Sequence, residues 1–210
     1  MANRILWGIG TSRTLRAHWA LAFLGRDYET RAIRTRTPAM ETPEYRAINP
    51  RGKIPTLIDG DLTLTESAAI VAYLAERYST DERRLIPEHI GERALYFEWM
   101  SFITMELDAT SLYVLRRHEG LAEIYGAAPD ACTVARVYFQ RMLSAAALRL
   151  QDARRFLLGE PFSGAGILMT TCLDTAVRYG FALPQLFTEY RVRIDDEPSI
   201  ALALRANSPS

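Results

Sequence analysis

Glu66 and Ser67 place a carboxylate beside a hydroxyl at the start of a predicted amphipathic helix, since Ile70, Val71 and Leu74 follow them at helical spacing. The free N–H groups and the dipole of a helix N-terminus favour a bound anion. The Ser67 hydroxyl can donate to the same anion, and the Glu66 carboxylate can accept from an ammonium group. This pair of residues is therefore suited to an α-amino acid, which carries both charges.

A short hairpin positions this helix start. Pro55 stands at the entrance of the apolar strand 56–58, where a missing N–H is tolerated, and it holds Ile54 extended. The run 59–61 is Asp-Gly-Asp, which has turn composition, and the next four residues alternate as a half-buried strand does. The last of them, Thr65, is the expected N-cap of the helix.

The chain before the hairpin predicts a strand, a tight loop and a helix. Residues 4–9 form a short apolar run, Thr11 and Ser12 follow it, and an amphipathic pattern then continues to Gly25. A second strand is expected over 28–33, followed by an irregular crossover that contains a short helix. This order of elements matches a thioredoxin-like layer, in which the loop after the first strand faces the turn before the third.

The polar segment 79–90 interrupts the helical pattern and marks the expected domain boundary. We therefore predict a thioredoxin-like domain at 1–78, a linker at 79–90 and an all-helical bundle domain at 91–210. The helices expected in the bundle are 91–119, 130–158, 163–180, 184–193 and 197–206.

Composition restricts the class of partner. The 210 residues are 49% hydrophobic and carry 25 basic and 25 acidic side chains, so neither nucleic acid nor an anionic membrane surface is expected as a partner. No secretion signal or membrane-spanning run is visible in the sequence. Cys132 and Cys172 are isolated, and the three histidines lack ligand spacing, so we expect no metal and no disulfide framework. The expected location is a reducing cytoplasm.

One stretch of the sequence carries a family resemblance. The run N-P-R-G-K-I-P-T-L from Asn49, the Asp-Gly hairpin and the run L-T-E-S-A-A-I-V-A-Y-L closely resemble the glutathione-binding half of the cytosolic glutathione S-transferases. The resemblance extends over nearly the whole chain. It implies glutathione as co-substrate, a small hydrophobic electrophile as second substrate, a detoxification role and a homodimer.

The resemblance also implies which residues hold the peptide. In this family the bond before the proline is cis, which leaves the backbone of the preceding residue to pair with the extended peptide. Ile54 and Pro55 take these positions here. Lys53 is expected near the glycine carboxylate, and Glu66 with Ser67 at the γ-glutamyl end.

The reacting group implied by this ligand is a thiol, which the protein must hold as a thiolate. A hydroxyl that donates to sulfur at the mouth of a helix favours the charged form. Ser12 is our first choice for this donor, because its spacing to Arg16 matches the serine-type theta- and delta-like classes. Thr11 is the second choice, at the zeta-like position, and simple N-capping is the alternative role for Ser12. Arg13 and Arg16 either support the thiolate, bind a substrate anion or lie on a solvated helix face.

The second substrate is expected along the predicted helix 96–117. Met105, Leu112, Tyr113 and Arg116 are the candidate contacts, although a stripe of this composition is also typical of a packed core.

Other functions remain compatible with the same site. A bound thiolate also serves isomerisation, dehalogenation or peroxide reduction, and the fold is also used by non-catalytic interaction modules.

The segment 159–167 predicts the start of a buried helix. Ser163 is the expected N-cap, and Gly166 stands where the family has an acidic residue that completes a capping box. We therefore expect Gly166→Asp to raise the free energy of unfolding by roughly 1 kcal/mol.

Overall fold

The computed structural model describes residues 4–150 and 154–208. These residues belong to two compact units. One comprises Met1–Ile86 together with Glu197–Ser210, and the other comprises Pro87–Asp196.

The first unit is built on a four-stranded mixed sheet in the order β2-β1-β3-β4. β1 pairs parallel with β2 and antiparallel with β3, and β4 closes a hairpin with β3. The elements in chain order are β1 Arg4–Ile9, α1 Ser12–Phe23, β2 Glu29–Arg34, a 3₁₀ turn Pro38–Met40, α2 Pro43–Ile48, β3 Thr56–Asp59, β4 Leu62–Thr65 and α3 Ser67–Tyr78. This sheet and its helices confirm the predicted thioredoxin-like layer.

The two faces of the sheet are covered by different residues. Trp7, Met40 and Tyr45 form a buried cluster, and the rings of Trp7 and Tyr45 lie 5.3 Å apart. Alternate strand residues such as Leu6 and Leu57 are completely buried. Since side chains alternate across a strand, Leu6 and the adjacent Trp7 point to opposite faces of the sheet.

The final helix, α10 Pro198–Asn207, belongs to the first unit. It packs against α1, where the Trp19 indole N–H donates to the Ser199 hydroxyl at 3.0 Å. The sequence-based division had placed this helix in the domain 91–210. The difference has a physical reason, because an amphipathic pattern shows that one face of a helix is buried without showing which surface covers it.

The second unit is helical. Its elements are α4 Ile90–Phe102, a π-helical segment Ile103–Leu112, α5 Tyr113–His118, α6 Ala122–Tyr125, α7 Pro129–Leu148, α8 Gly164–Arg178 and α9 Gln185–Asp195. The predicted bundle is confirmed, but the helix expected over 130–158 is too long, since α7 ends at Leu148 and Phe156 pairs with Gly159 in an isolated bridge. Among the described residues, no helix combines the length and apolar content needed to cross a membrane.

The start of α8 differs from the expected capping box. Ser163 is the N-cap residue, yet its buried hydroxyl makes no hydrogen bond within the described part of the chain. A Cβ atom added to Gly166 would lie 2.6 Å from the Phe162 ring and 3.0 Å from the Tyr190 hydroxyl. The expectation that Gly166→Asp stabilises the protein is therefore wrong, because these two side chains already occupy the space.

Candidate functional site

The end of β1 lies against the turn before β3. Gly8 has a φ of +112°, and a side chain there would approach the Ile54 Cβ atom to 2.6 Å, so only glycine fits. The Ile54–Pro55 peptide bond is cis, which confirms the expectation from the family resemblance. The strand end that leads to Thr11 and Ser12 is therefore next to the cis-proline turn.

His18 fixes Gly8 from helix α1. Its Nε2 lies 3.1 Å from the Gly8 carbonyl oxygen, and its Nδ1 lies 2.7 Å from the Tyr28 hydroxyl. Burial lowers the pKa of His18 to about 4, an effect that the hydrogen bond to Gly8 only partly opposes. The imidazole is therefore neutral at neutral pH, with Nε2–H as donor and Nδ1 as acceptor.

The turn before the cis-proline is held by its backbone rather than by the Lys53 side chain, which is exposed. The Lys53 carbonyl accepts from the Tyr45 hydroxyl at 2.5 Å and from the Asn49 amide at 2.8 Å, and Asn49 also donates to Thr56. The Ile54 N–H and C=O make no hydrogen bond to any other described residue. They are available to pair with an extended ligand.

Helix α3 begins at Ser67, and Glu66 occupies its N-cap position with φ of 69° and ψ of 115°. The predicted N-cap Thr65 is therefore wrong by one residue, and Thr65 ends β4 instead. A positive φ in a residue other than glycine costs on the order of 1–3 kcal/mol and is concentrated at functional sites. The Glu66 side chain is 69% exposed, whereas the adjacent Ser67 is only 6% exposed.

Arg51 is a partner of Glu66 that the sequence did not reveal. Its Nη1 lies 3.0 Å from Glu66 Oε1, and its Nη2 contacts the Thr65 hydroxyl. The two charged side chains are 58% and 69% exposed, and exposed ion pairs of this kind contribute about 0–1 kcal/mol. A ligand ammonium can therefore replace Arg51 at Glu66 at little cost.

Arg16 contacts the start of α3 from its buried side. Its side chain is 2% exposed, and its Nη1 lies 3.3 Å from the Ser67 hydroxyl oxygen. The solvated helix face considered for Arg16 is therefore wrong. A buried guanidinium adds positive potential to that of the α3 N-terminus, so the site favours an anion.

Thr11, and not Ser12, caps helix α1. The Thr11 hydroxyl accepts from the Thr14 N–H and the Thr14 hydroxyl accepts from the Thr11 N–H, both at 3.0 Å. Ser12 is the first helical residue, and its hydroxyl has no hydrogen-bond partner among the described residues. The capping alternative for Ser12 is therefore wrong. Arg13 follows as a partly exposed residue of the same turn.

The four candidate contacts for a second substrate do not share one environment. Met105 is 58% exposed, Leu112 is 2% exposed, and Tyr113 and Arg116 are intermediate. The predicted role of Leu112 is wrong, because it presents almost no surface to a ligand. The π-helical turn explains the difference, since it spaces residues by i→i+5 and so changes the face that each residue occupies.

The structure thus brings most of the predicted peptide-binding residues to adjoining segments of the first unit. These segments are the α1 N-terminus, the cis-proline turn and the α3 N-terminus. Asn49 and Arg51 also belong to the site, although the sequence did not predict it. Their residue types are ordinary in turns and gave no signal. No group of His, Cys, Asp or Glu side chains in the described ranges is arranged to hold a metal ion.

Comparison with known proteins agrees with this geometry. The family profile described as glutathione S-transferase, N-terminal domain, matches residues 2–76. A glutathione S-transferase of Triticum aestivum is 35% identical over 121 residues, which are 57% of this chain and 54% of that protein. The matched stretch thus spans about half the length of this relative.

Solved structures are similar over nearly the whole chain. The theta class glutathione S-transferase of Xanthomonas axonopodis pv. citri, crystallised with glutathione bound, has a TM-score of 0.79 and 25% identity, covering 100% of this chain and 99% of that one. A maleylacetoacetate isomerase of Methylobacterium extorquens, with malonate and glutathione bound, has a TM-score of 0.78 and 26% identity, covering 98% of each chain. From its sheet, its cis-proline turn and these similarities, the chain belongs to the glutathione S-transferase family.

Proposed function

We propose that this protein is a glutathione transferase, which binds glutathione as co-substrate and presents its thiol as a thiolate to a small hydrophobic electrophile. The observation that carries the proposal is the combination of a Ser12 hydroxyl at the α1 N-terminus and an Ile54 backbone beside the end of β1, neither of which has a hydrogen-bond partner among the described residues. The Ser12 hydroxyl supplies a hydrogen-bond donor for sulfur, and the Ile54 N–H and C=O supply the groups that pair with a peptide backbone.

The peptide is held through both of its ends. Ser67 and the α3 N-terminus, with Arg16 behind them, receive the γ-glutamyl carboxylate, and Glu66 exchanges Arg51 for the ammonium group. Ile54 pairs with the cysteinyl backbone, and Lys53 lies toward the glycine carboxylate. Arg13 adds positive charge at the α1 N-terminus.

The thiol is ionised by stabilisation of its anion. A free thiol has a pKa near 8.5, so only a few per cent is thiolate at neutral pH. A hydrogen bond from Ser12 at the N-terminus of α1 lowers that pKa, and the proton leaves to solvent. The thiolate then attacks the electrophile.

Calorimetry tests the peptide-binding part of the proposal. We expect Glu66→Ala and Ser67→Ala each to weaken glutathione binding by about tenfold, since each removes a hydrogen bond to a charged group. Glu44→Ala is the matched control, because Glu44 is an exposed first-turn acid of α2 and should leave affinity unchanged. Unaltered affinity in both site variants would refute the proposal.

A glutathione-dependent isomerase is the second candidate, favoured by the similarity to the maleylacetoacetate isomerase structure. Both reactions use the same bound thiolate. Turnover of a cis-diacid substrate without net consumption of glutathione would identify the isomerase, whereas a stable thioether product identifies the transferase.

We further propose a homodimer in the cytoplasm. Within the described residues neither Cys132 nor Cys172 forms a disulfide, and both are buried, which supports a reducing compartment. Sedimentation equilibrium tests the dimer, and a monomer at micromolar concentration would contradict it.

A further inference from the structure

The last residue of α10 reaches the loop that carries Ser12. The Gly10 N–H donates to the Asn207 carbonyl oxygen at 2.9 Å and to its Oδ1 at 3.2 Å. The Thr14 hydroxyl lies 2.6 Å from the same Oδ1, and Asn207 Nδ2 donates to the Thr11 carbonyl at 3.2 Å. One residue therefore contacts the chain on both sides of Ser12.

These partners fix the orientation of the Asn207 amide. The Gly10 N–H can only donate, so it requires the amide oxygen, and the Thr11 carbonyl can only accept, so it requires the amide nitrogen. The Thr14 hydroxyl consequently faces an oxygen and must act as the donor in that contact.

The protons of the neighbouring hydroxyls then have assigned places. The Thr14 hydroxyl gives its one proton to Asn207, the shortest of its contacts, and its oxygen accepts from the Thr11 N–H and from the Thr11 hydroxyl, each at 3.0 Å. The Thr11 hydroxyl also accepts from the Thr14 N–H. Thr11 therefore has no proton to offer a ligand, whereas Ser12 has one.

We propose that Asn207 is a positioning residue of the glutathione site. Its Oδ1 orients the Thr14 hydroxyl, Thr14 engages the Thr11 hydroxyl, and Ser12 is left as the side-chain donor to sulfur. Asn207 itself touches neither the peptide nor the sulfur. This inference rests on the proposed function and adds to it a selection between two adjacent hydroxyls that sequence alone left open.

The hydrogen bonds that link Asn207 through Thr14 to Thr11 form a relay. Removal of the Asn207 side chain changes this relay in a defined way. The Thr14 proton then turns to the Thr11 carbonyl, which lies 2.9 Å away, or to the Thr11 hydroxyl. In the second arrangement the Thr11 proton becomes available to sulfur. The Gly10 N–H also loses its side-chain acceptor, so the loop holds Ser12 less firmly.

The experiment measures the pKa of the bound thiol from the ultraviolet absorbance of the thiolate as pH is varied, with kcat, KM and the glutathione Kd. We expect Asn207→Ala to raise that pKa by about one unit and to lower kcat by about three- to tenfold, with Kd within about twofold of wild type. Ser208→Ala is the matched control, because its hydroxyl bonds to the Leu204 carbonyl at 2.7 Å at the same helix end without touching the loop. It should match wild type.

A double-mutant cycle separates a relay from a general loss of structure. Ser12→Ala should lower kcat less in the Asn207→Ala background than in wild type, because Thr11 can then donate in its place. If Asn207→Ala does not fold, Thr14→Val interrupts the same relay and should show the same reduced dependence on Ser12.

The outcomes distinguish the two proposals. If wild type binds glutathione without lowering its thiol pKa, the proposed function fails and this inference fails with it. If wild type lowers the pKa and Asn207→Ala does so equally, with full dependence on Ser12, only the role of Asn207 is overturned.

Discussion

Ser12 and Thr11 carry the same functional group at adjacent positions, yet the fold gives them different surroundings. Thr11 exchanges hydrogen bonds with Thr14 as the N-cap of α1, whereas the Ser12 hydroxyl has no partner among the described residues. A hydroxyl without a partner can donate to a ligand without first breaking a hydrogen bond. This difference favours Ser12 over Thr11 as the proposed thiolate donor.

Ser12→Ala should lower the conjugation rate by about 10- to 100-fold, since a hydrogen bond to a charged group contributes about 1.5–3 kcal/mol. Glutathione affinity should change by less than about twofold, because this bond forms with the sulfur and not with the ends of the peptide. Steady-state kinetics with an aryl chloride, together with calorimetry, measure both quantities. Thr11→Val is the comparison: we expect a lower melting midpoint and a smaller effect on rate. Full activity of Ser12→Ala would transfer the role to another donor.

Single residues were predictable where one local pattern determined them. Glu66 and Ser67 could be assigned to a helix start because the apolar spacing behind them marks where the helix begins. Arg51 and Asn207 could not be assigned, because their partners lie 15 and 196 residues away along the chain. Nothing in a basic or an amide side chain indicates which distant backbone will come to face it.

At the scale of elements, His18 joins α1 to the end of β1 and should make stability depend on pH. Its folded-state pKa of about 4 lies below the unfolded value of 6.5, so between these values the unfolded chain binds a proton that the folded chain excludes. Stability is therefore lost as pH falls through this window, by up to about 3 kcal/mol. Urea unfolding at several pH values should show this slope in wild type and a shallower one in His18→Gln, in which an amide N–H can still donate to Gly8.

The first turn of α8 leaves no room for a larger residue at position 166. Gly166→Ala should lower the free energy of unfolding by about 1–3 kcal/mol, because the new methyl group would overlap the Phe162 ring. Gly91→Ala is the matched control, since Gly91 lies in the first turn of α4 with its nearest neighbour at 3.4 Å. There we expect a gain of up to about 1 kcal/mol from helix propensity. Urea unfolding measures both, and a stabilised Gly166→Ala would contradict the packing.

Elements were predictable in type and order but less so in extent and partner. The alternation in β4 and the helical spacing in α3 are local properties, so sequence was sufficient for both. The end of α7 at Leu148 and the π-helical turn at Ile103–Leu112 depend on tertiary packing, which periodicity does not encode. The same limit applies to α10, whose partner α1 is at the opposite end of the chain.

At the scale of the whole molecule, the first unit is built from both ends of the chain. A chain that stops after Asp196 lacks α10, and the indole of Trp19 loses its Ser199 partner. We expect a melting midpoint lower by more than about 8 °C, since exposing the apolar surface of α1 that α10 covers costs more than about 2 kcal/mol. Thermal denaturation measures it, with a chain ending at Ser208 as control. An unchanged midpoint would show that α10 adds little to the first unit.

Because Asn207 and Ser199 complete a unit that begins with β1, the order of synthesis differs from the order of assembly. The sheet and α1 leave the ribosome before α10, whose Ser199 follows Trp19 by 180 residues. The intervening helices can pack against one another before α10 covers α1, because their contacts are close in sequence. The nascent protein must therefore keep the apolar side of α1 from aggregating until α10 has been translated, and we expect chaperones to bind α1 during that interval.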